Sequence, residues 1–358
     1  MSRLLSCGVV LLAAFTSWAA DFPAPAEGNF VMKDFVFTTG EKLPELRLHY
    51  TTVGTPAKNA AGQVTNAVLI MHGTGGSGRG FLSTTFGGVL FGAGQLLDAT
   101  RYYIILPDDI GHGGSSKPSD GLHMKFPRYT YTDMVKGEYR LVTEGLGVNH
   151  MRLVMGTSMG AMHTWMWGEM YPDFMDALMP LASAPVEIGG RNRMLRKMIM
   201  DSIRRDPNWN GGEYKGPLSN MVAAQFALFM MTSAPLQLYK QAPTREQADA
   251  MFERRFYGTT ARPADANDML YHYDCSRDYN PEPDLEKIKA PLYAINSADD
   301  QVNPPELGIL EREIKRVKRG RYILIPTSDE TRGHGTHSLP AIWGKYLQEL
   351  LQESASPR

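Results

Sequence analysis

The stretch that most limits the fold is Val154 to Ala161, which reads V-M-G-T-S-M-G-A. A short apolar run ends in a serine held between two glycines, and a helix-forming segment, Ala161 to Tyr171, follows at once. A strand that turns abruptly into a helix forces the residue at the bend into a strained conformation. Side chains two residues before and two after would collide, and Gly156 and Gly160 remove them. The hydroxyl of Ser158 then projects at the carboxyl end of the strand. The first N–H groups of the helix point at any oxyanion that forms there. The bland alternative is a tight turn with an idle serine. What separates the two is whether the rest of the chain supplies a base and an acid.

Other apolar runs of strand length recur, each bounded by turn residues: Leu46 to Val53, Ala67 to Met71, Tyr102 to Leu106, Arg152 to Met155, Ala177 to Leu181, Leu292 to Ile295 and Tyr322 to Ile325. Amphipathic helical stretches lie between most of them, at Tyr131 to Leu146, Leu307 to Val317 and Leu339 to Leu351. Strands alternating with helices predict an α/β fold with a mostly parallel sheet covered on both faces. From Val186 to Asp284 the alternation stops and methionines accumulate, among them Met194, Met198, Met200, Met230 and Met231. This segment reads as a helical cap whose soft side chains roof a pocket.

A serine hydroxyl is a poor nucleophile at neutral pH, so it needs a base, and the base needs an orienting carboxylate. In chains with this elbow the acid and then the histidine follow the serine. The loop after the strand at Leu292 offers Asp299 and Asp300; Asp300 is favoured because it stands four residues before Pro304. The loop after the strand at Tyr322 offers His334 and His337; His334 is favoured because Gly333 and Gly335 flank it. Asp299 and His337 stay open as alternatives, and otherwise read as a turn or capping residue and as a helix-start residue. The oxyanion donors are expected to be the backbone N–H of Met159 and that of Thr74, the latter in the loop His72-Gly73-Thr74 after another strand. A metal reading of His334-x-x-His337 with the two aspartates lacks a further ligand set at metal spacing, so neither metal nor cofactor is expected. The acid-and-glycine stretch Pro107 to Gly121 reads as a turn, and His163 as a packed residue of the helix.

Composition narrows the class. With 358 residues and 43% apolar side chains, the chain can bury one large core plus a cap. A formal net charge of −1 argues against a nucleic-acid partner. Arg3, the apolar run Leu4 to Phe15 and Ser17-Trp18-Ala19 read as a signal peptide cleaved after Ala19. A periplasmic or secreted enzyme is therefore expected, with no stable membrane insertion after cleavage. Cys275 is then the remaining cysteine, and nothing around it suggests catalysis.

With these residues in place, the chain resembles the α/β-hydrolase superfamily, and within it the homoserine O-acetyltransferase-like branch. The segment "LRLHYTTVGTPAKNAAGQVTNAVLIMHGTGGSG" is similar to that branch's opening, "GTSMGAMHTWMWGEMYPDFMDALMPLAS" to its elbow, helix and next strand, and "DPNWNGGEY" to a motif in its cap. The resemblance implies an α/β-hydrolase fold with a core of residues 20–185 and 286–358 and a cap of residues 186–285. It places Ser158, Asp300 and His334 on the family's nucleophile, acid and base, and suggests a homodimer by analogy alone. Three departures bear on the substrate. Ala161 follows Gly160 where the transferases carry a second glycine, and Gly335 follows His334 where they carry an aspartate. Met200 stands six residues before Asp206, where they carry an arginine that helps hold the amino-acid substrate; Arg196, one helical turn earlier, is the candidate substitute. Together with the export signal, these departures favour a serine hydrolase that cleaves a small carboxylic ester or related acyl bond through an acyl-enzyme. The alternative is an acyltransferase of the homoserine type, moving an acyl group from a thioester to an alcohol.

Overall fold

The apolar runs become the centre of one eight-stranded sheet. The computed structural model describes residues 22–258 and 264–355, so the signal peptide read in residues 1–19 lies outside the described residues. The strands are β1 (Ala26–Val36), β2 (Lys42–Val53), β3 (Ala67–Met71), β4 (Tyr103–Pro107), β5 (Leu153–Thr157), β6 (Leu178–Leu181), β7 (Leu292–Ser297) and β8 (Gly320–Ile325). Their order across the sheet is β1-β2-β4-β3-β5-β6-β7-β8. The pairs β1–β2 and β2–β4 are antiparallel, and all the others are parallel.

Strands β3 to β7 are buried at every residue, which is why they read as unbroken apolar runs rather than as alternation. Successive side chains nonetheless serve opposite faces. Val68 and Ile70 join Met155 and Trp343 in one core cluster, while Leu69 and Met71 join Val154, Trp165 and Trp167 in the other. Truncating one such residue, Leu69→Ala for example, would cost about 2–5 kcal/mol through lost burial and the cavity left behind.

Helices cover both faces: α1 (Gly87–Leu90), α2 (Tyr131–Arg140), α3 (Met159–Met170), α9 (Ile309–Glu313) and α10 (Pro340–Ser354). Thr130 starts α2 by accepting from the Asp133 N–H, and the Asp133 carboxylate reaches back to the Thr130 N–H. The helical pattern read as far as Leu146 is carried past Arg140 by a π turn over Leu141–Gly145.

Between β6 and β7 the chain inserts α4 (Gly190–Arg204), α5 (Met221–Thr232), α6 (Pro235–Gln241), α7 (Arg245–Phe256) and α8 (Ala266–Asp274). This insertion has its own apolar cluster, with Ile199, Met200, Ile203, Leu218 and Leu270. Polar contacts fasten α8 to the sheet layer. Ser119 donates its N–H and its hydroxyl to the two oxygens of Asp268, at 2.9 and 2.6 Å. The His272 ring donates to the Gly111 carbonyl at 2.8 Å and stacks on His112 at 3.9 Å.

Candidate active site

The bend after β5 holds the strain that the elbow pattern implies. Ser158 has φ 54° and ψ −109°, a left-handed conformation that costs a non-glycine residue about 1–3 kcal/mol. The two glycines prevent clashes with backbone. A Cβ at position 156 would lie 2.2 Å from the Gly160 carbonyl oxygen, and one at position 160 would lie 2.1 Å from the Met71 carbonyl oxygen on β3. Gly160 thus makes room for the neighbouring strand, not for a side chain at position 156.

Loops from the ends of β7 and β8 bring Asp300 and His334 to this serine. Ser158 Oγ lies 2.8 Å from His334 Nε2, and His334 Nδ1 lies 3.0 Å from Asp300 Oδ2. Asp300 is fully buried. Burial alone would raise its pKa. The adjacent His334 ring and the N–H groups of Val302 and Asn303 outweigh that and hold the carboxyl below the usual aspartate range. A buried anion with its lone pairs filled is suited to holding the imidazole in the Nδ1–H tautomer. That tautomer leaves Nε2 free to accept the serine proton.

The two open alternatives fall elsewhere. Asp299 does not touch the ring; it pins the loop that carries it. Its carboxylate accepts from Ser297 Oγ at 2.6 Å, Thr331 Oγ1 at 2.8 Å and the Gly333 N–H at 3.0 Å. His337 lines the same cavity as Ser158, with its ring centre 5.1 Å from that of His334. Burial first, and then the His334 ring, push its pKa down to about 3. Cys275 is buried, and that burial raises its thiol pKa.

The expected oxyanion segments flank the serine. Met159 opens α3, where first-turn N–H groups have no partner within the helix. On the other side, a Cβ at Gly73 would lie 3.2 Å from Ser158 Cβ, so the His72-Gly73-Thr74 loop runs directly against the nucleophile.

The cavity over Ser158 has a volume of about 420 Å³ and is lined by Thr74, Arg196, Tyr273 and His334, among others. It shares Thr74, Leu228, Thr232 and Tyr273 with a larger chamber of about 1120 Å³ under α5, α7 and α8. Arg196, the arginine one helical turn before position 200, is part of the wall over Ser158. It is 3% exposed, donates to Asn192 Oδ1 at 2.9 Å and Ser276 Oγ at 3.3 Å, and lies 5.6 Å from the centre of the Tyr273 ring. Among the described residues no carboxylate pairs with it. Met200, at the position where the resemblance places an arginine, packs instead into the core of the insertion. Tyr273 escaped sequence reading because it sits in a segment with no motif.

A second polar group is buried behind this site. Glu138 accepts from His163 Nδ1 at 2.9 Å and Trp167 Nε1 at 2.7 Å, and Asp109 lies beside them. Burial raises the Asp109 carboxyl well above its ordinary range, and neighbouring Glu138 adds to the rise. The three side chains could offer a metal one ligand atom each. Glu138 is satisfied by His163 and Trp167, whereas both Asp109 carboxylate oxygens and His163 Nε2 are buried without a hydrogen-bond partner among the described residues. Asp108, next in the chain, ties the turn after β4 by accepting from the Gly78 and Gly114 N–H groups at 2.7 and 2.8 Å.

Comparison with known proteins agrees with this architecture. Residues 66–329 match the family described as "alpha/beta hydrolase fold". A homoserine O-acetyltransferase from Haemophilus influenzae (strain 86-028NP) is 30% identical over 300 residues, covering 74% of this chain and 81% of that protein. Among solved structures, a homoserine O-acetyltransferase from Bacillus anthracis superposes with a TM-score of 0.80 at 19% identity, over 93% of this chain and 99% of that one. The esterase E22 superposes with a TM-score of 0.76 at 20% identity, over 92% of this chain and 100% of that one. At such low identity the two structures speak to the fold alone.

Proposed function

We propose, from the premise that this chain belongs to the α/β-hydrolase fold family and to its homoserine O-acetyltransferase-like branch, that it transfers acyl groups through a Ser158 ester to a hydroxyl compound bearing a carboxylate. The observation that carries the chemistry is the continuous chain from Asp300 to His334 to Ser158, at 3.0 and 2.8 Å. His334 Nε2 takes the Ser158 proton as Oγ attacks the acyl carbonyl. The N–H groups of Met159 and Thr74 receive the oxyanion, and the donor's leaving group departs with the proton from His334. In the second half the same ring deprotonates the acceptor hydroxyl, which attacks the acyl carbon and releases Ser158.

The choice of acceptor rests on Arg196. A guanidinium buried in the reaction cavity without a protein carboxylate has lost its water and gained no counter-charge. An acceptor's carboxylate supplies that charge in bidentate geometry.

A second reading is hydrolysis of a carboxylic ester, with water as the acceptor. Met200 favours it, because the side chain at the position associated with substrate holding is apolar and packed away from the cavity. The export signal read in residues 1–19 favours it too, since a periplasmic or secreted enzyme meets water more often than an activated thioester.

Partitioning separates the two. Purified protein is incubated with acetyl-CoA and L-homoserine, and the ratio of O-acetylhomoserine to free acetate is measured. Ester product in excess at saturating acceptor supports transfer. Acetate alone, at a rate independent of homoserine, replaces it with hydrolysis. Failure of a fluorophosphonate probe to label Ser158 would remove both.

A further inference from the structure

The second oxyanion donor is expected on the peptide that joins Gly73 to Thr74, and a peptide's N–H points wherever its own carbonyl is not. Whatever grips the Gly73 carbonyl therefore aims the Thr74 N–H. Two donors grip it. The Gly76 N–H lies 2.9 Å from the Gly73 oxygen, and the Nδ1 of His72 lies 2.8 Å from the same oxygen.

The His72 ring is itself fixed. Its Nε2 accepts the Asp109 N–H at 3.1 Å, so that nitrogen carries no proton and Nδ1 must carry it. The ring is 3% exposed and packs 5.1 Å from the His112 ring, so it cannot swing away. The main chain of the same residue completes the arrangement, because the His72 carbonyl accepts the Gly160 N–H at 2.9 Å. That bond ties the loop of one oxyanion donor to the helix start that supplies the other.

We propose that His72 is a positioning residue for the oxyanion hole: its Nδ1–H orients the Gly73–Thr74 peptide, and its Nε2 is held in place by the turn after β4. The inference rests on the acyl-enzyme reading above. It adds a side chain that makes no hydrogen bond to Ser158 and acts through one peptide plane. The neighbouring Asp109 contributes its backbone N–H to this arrangement, and the Asp108 carboxylate, accepting from the Gly78 and Gly114 N–H groups, keeps that turn in place.

Two near-isosteres divide the ring's two roles. In His72→Asn the side-chain amide N–H falls where Nδ1 was and still reaches the Gly73 oxygen. In His72→Gln the side-chain oxygen falls where Nε2 was, so it keeps the Asp109 contact and loses the Gly73 contact. Both variants, wild type and Ser158→Ala are assayed with p-nitrophenyl acetate for kcat and KM, and each is melted.

Activity in wild type and none in Ser158→Ala secures the underlying reading before the His72 variants are compared. Removal of an oxyanion donor typically lowers kcat by about 100- to 1000-fold, so a misaimed donor is expected to cost roughly 30-fold or more. His72→Gln should show that loss in kcat with KM within about twofold and a melting temperature near wild type, and His72→Asn should recover most of it. Equal activity in His72→Gln and wild type overturns the proposal. So does His72→Asn falling as far as His72→Gln, or loss of fold in both, either of which makes the ring a packing element only.

Discussion

Replacing Arg196 by methionine tests the substrate reading most directly, because the structure predicts opposite effects on binding and on stability. Two hydrogen bonds to the protein are lost, to Asn192 and Ser276, together with the contact to the Tyr273 ring and an interaction with the Tyr131 hydroxyl. At about 1.5 kcal/mol net each, the low end for a charged donor, the two hydrogen bonds contribute roughly 3 kcal/mol. Against that stands the desolvation of a guanidinium that is 3% exposed and has no carboxylate partner among the described residues. Burying such an ion costs several kcal/mol, so Arg196→Met is expected to leave the melting temperature unchanged or to raise it.

The effect on the reaction runs the other way. Truncating one side of a buried hydrogen-bonded charge pair costs about 2–5 kcal/mol, which is about 30-fold to several thousand-fold. That loss should fall on kcat/KM for L-homoserine in the transfer assay. The burst of p-nitrophenol from neutral p-nitrophenyl acetate, which reports acylation of Ser158, should stay within a few-fold of wild type. A parallel fall in both would show that Arg196 shapes the cavity and does not select a carboxylate. A melting temperature several degrees lower would show that it is structural.

Three further outcomes follow from the geometry. Asp300→Asn should lower kcat by about 10⁴-fold by favouring the wrong histidine tautomer, whereas Asp299→Asn, which disturbs the contacts to Ser297, Thr331 and Gly333, should cost about tenfold together with a lower melting temperature; equal losses would reopen which aspartate serves the ring. Gly160→Ala should destabilise the protein by at least about 3 kcal/mol in urea unfolding, because its Cβ would lie 2.1 Å from the Met71 carbonyl oxygen on β3, and near-wild-type stability would contradict the packing described at the elbow. Burial raises the Asp268 carboxyl to about 6, so the folded protein holds that proton more tightly than the unfolded chain does; this contribution is fully present below the unfolded aspartate value near 4 and is lost as pH rises to about 6, and Asp268→Asn should flatten the melting temperature across that window.

What could be read from sequence, and what could not, divides by how local the signal is. The runs that became β3 to β7 were legible because a strand buried on both faces leaves an unbroken apolar word. Edge strand β1 was missed because only Met32 and Phe35 along it are buried, and the alternation changes phase between them, where Asp34 takes a φ of 52°. Ser158, Asp300 and His334 stood out because each follows a strand in a loop whose glycines or prolines mark it. The structure brings their side chains within hydrogen-bond distance. The part played by Asp299 was not visible, since two adjacent aspartates in one loop differ only in where their side chains point.

Arg196 shows the limit most clearly, and it also explains why the substrate could not be chosen by counting. Position 200, where the resemblance implies an arginine, is apolar, which by itself argues against a carboxylate-bearing substrate. Residues 196 and 200 lie one turn apart on α4, close enough to share a side of the helix but not to share its surroundings. The structure sends Met200 into the core of the insertion and leaves Arg196 at the wall of the Ser158 cavity. A charge displaced by one turn can serve the same end only if the helix sits differently over the pocket. Matching motifs position by position cannot register that, because what a ligand meets is a location in the cavity and not a place in the chain. The departure that first argued for hydrolysis is therefore, in the folded protein, compatible with transfer, and the acceptor has to be decided by what Arg196 binds.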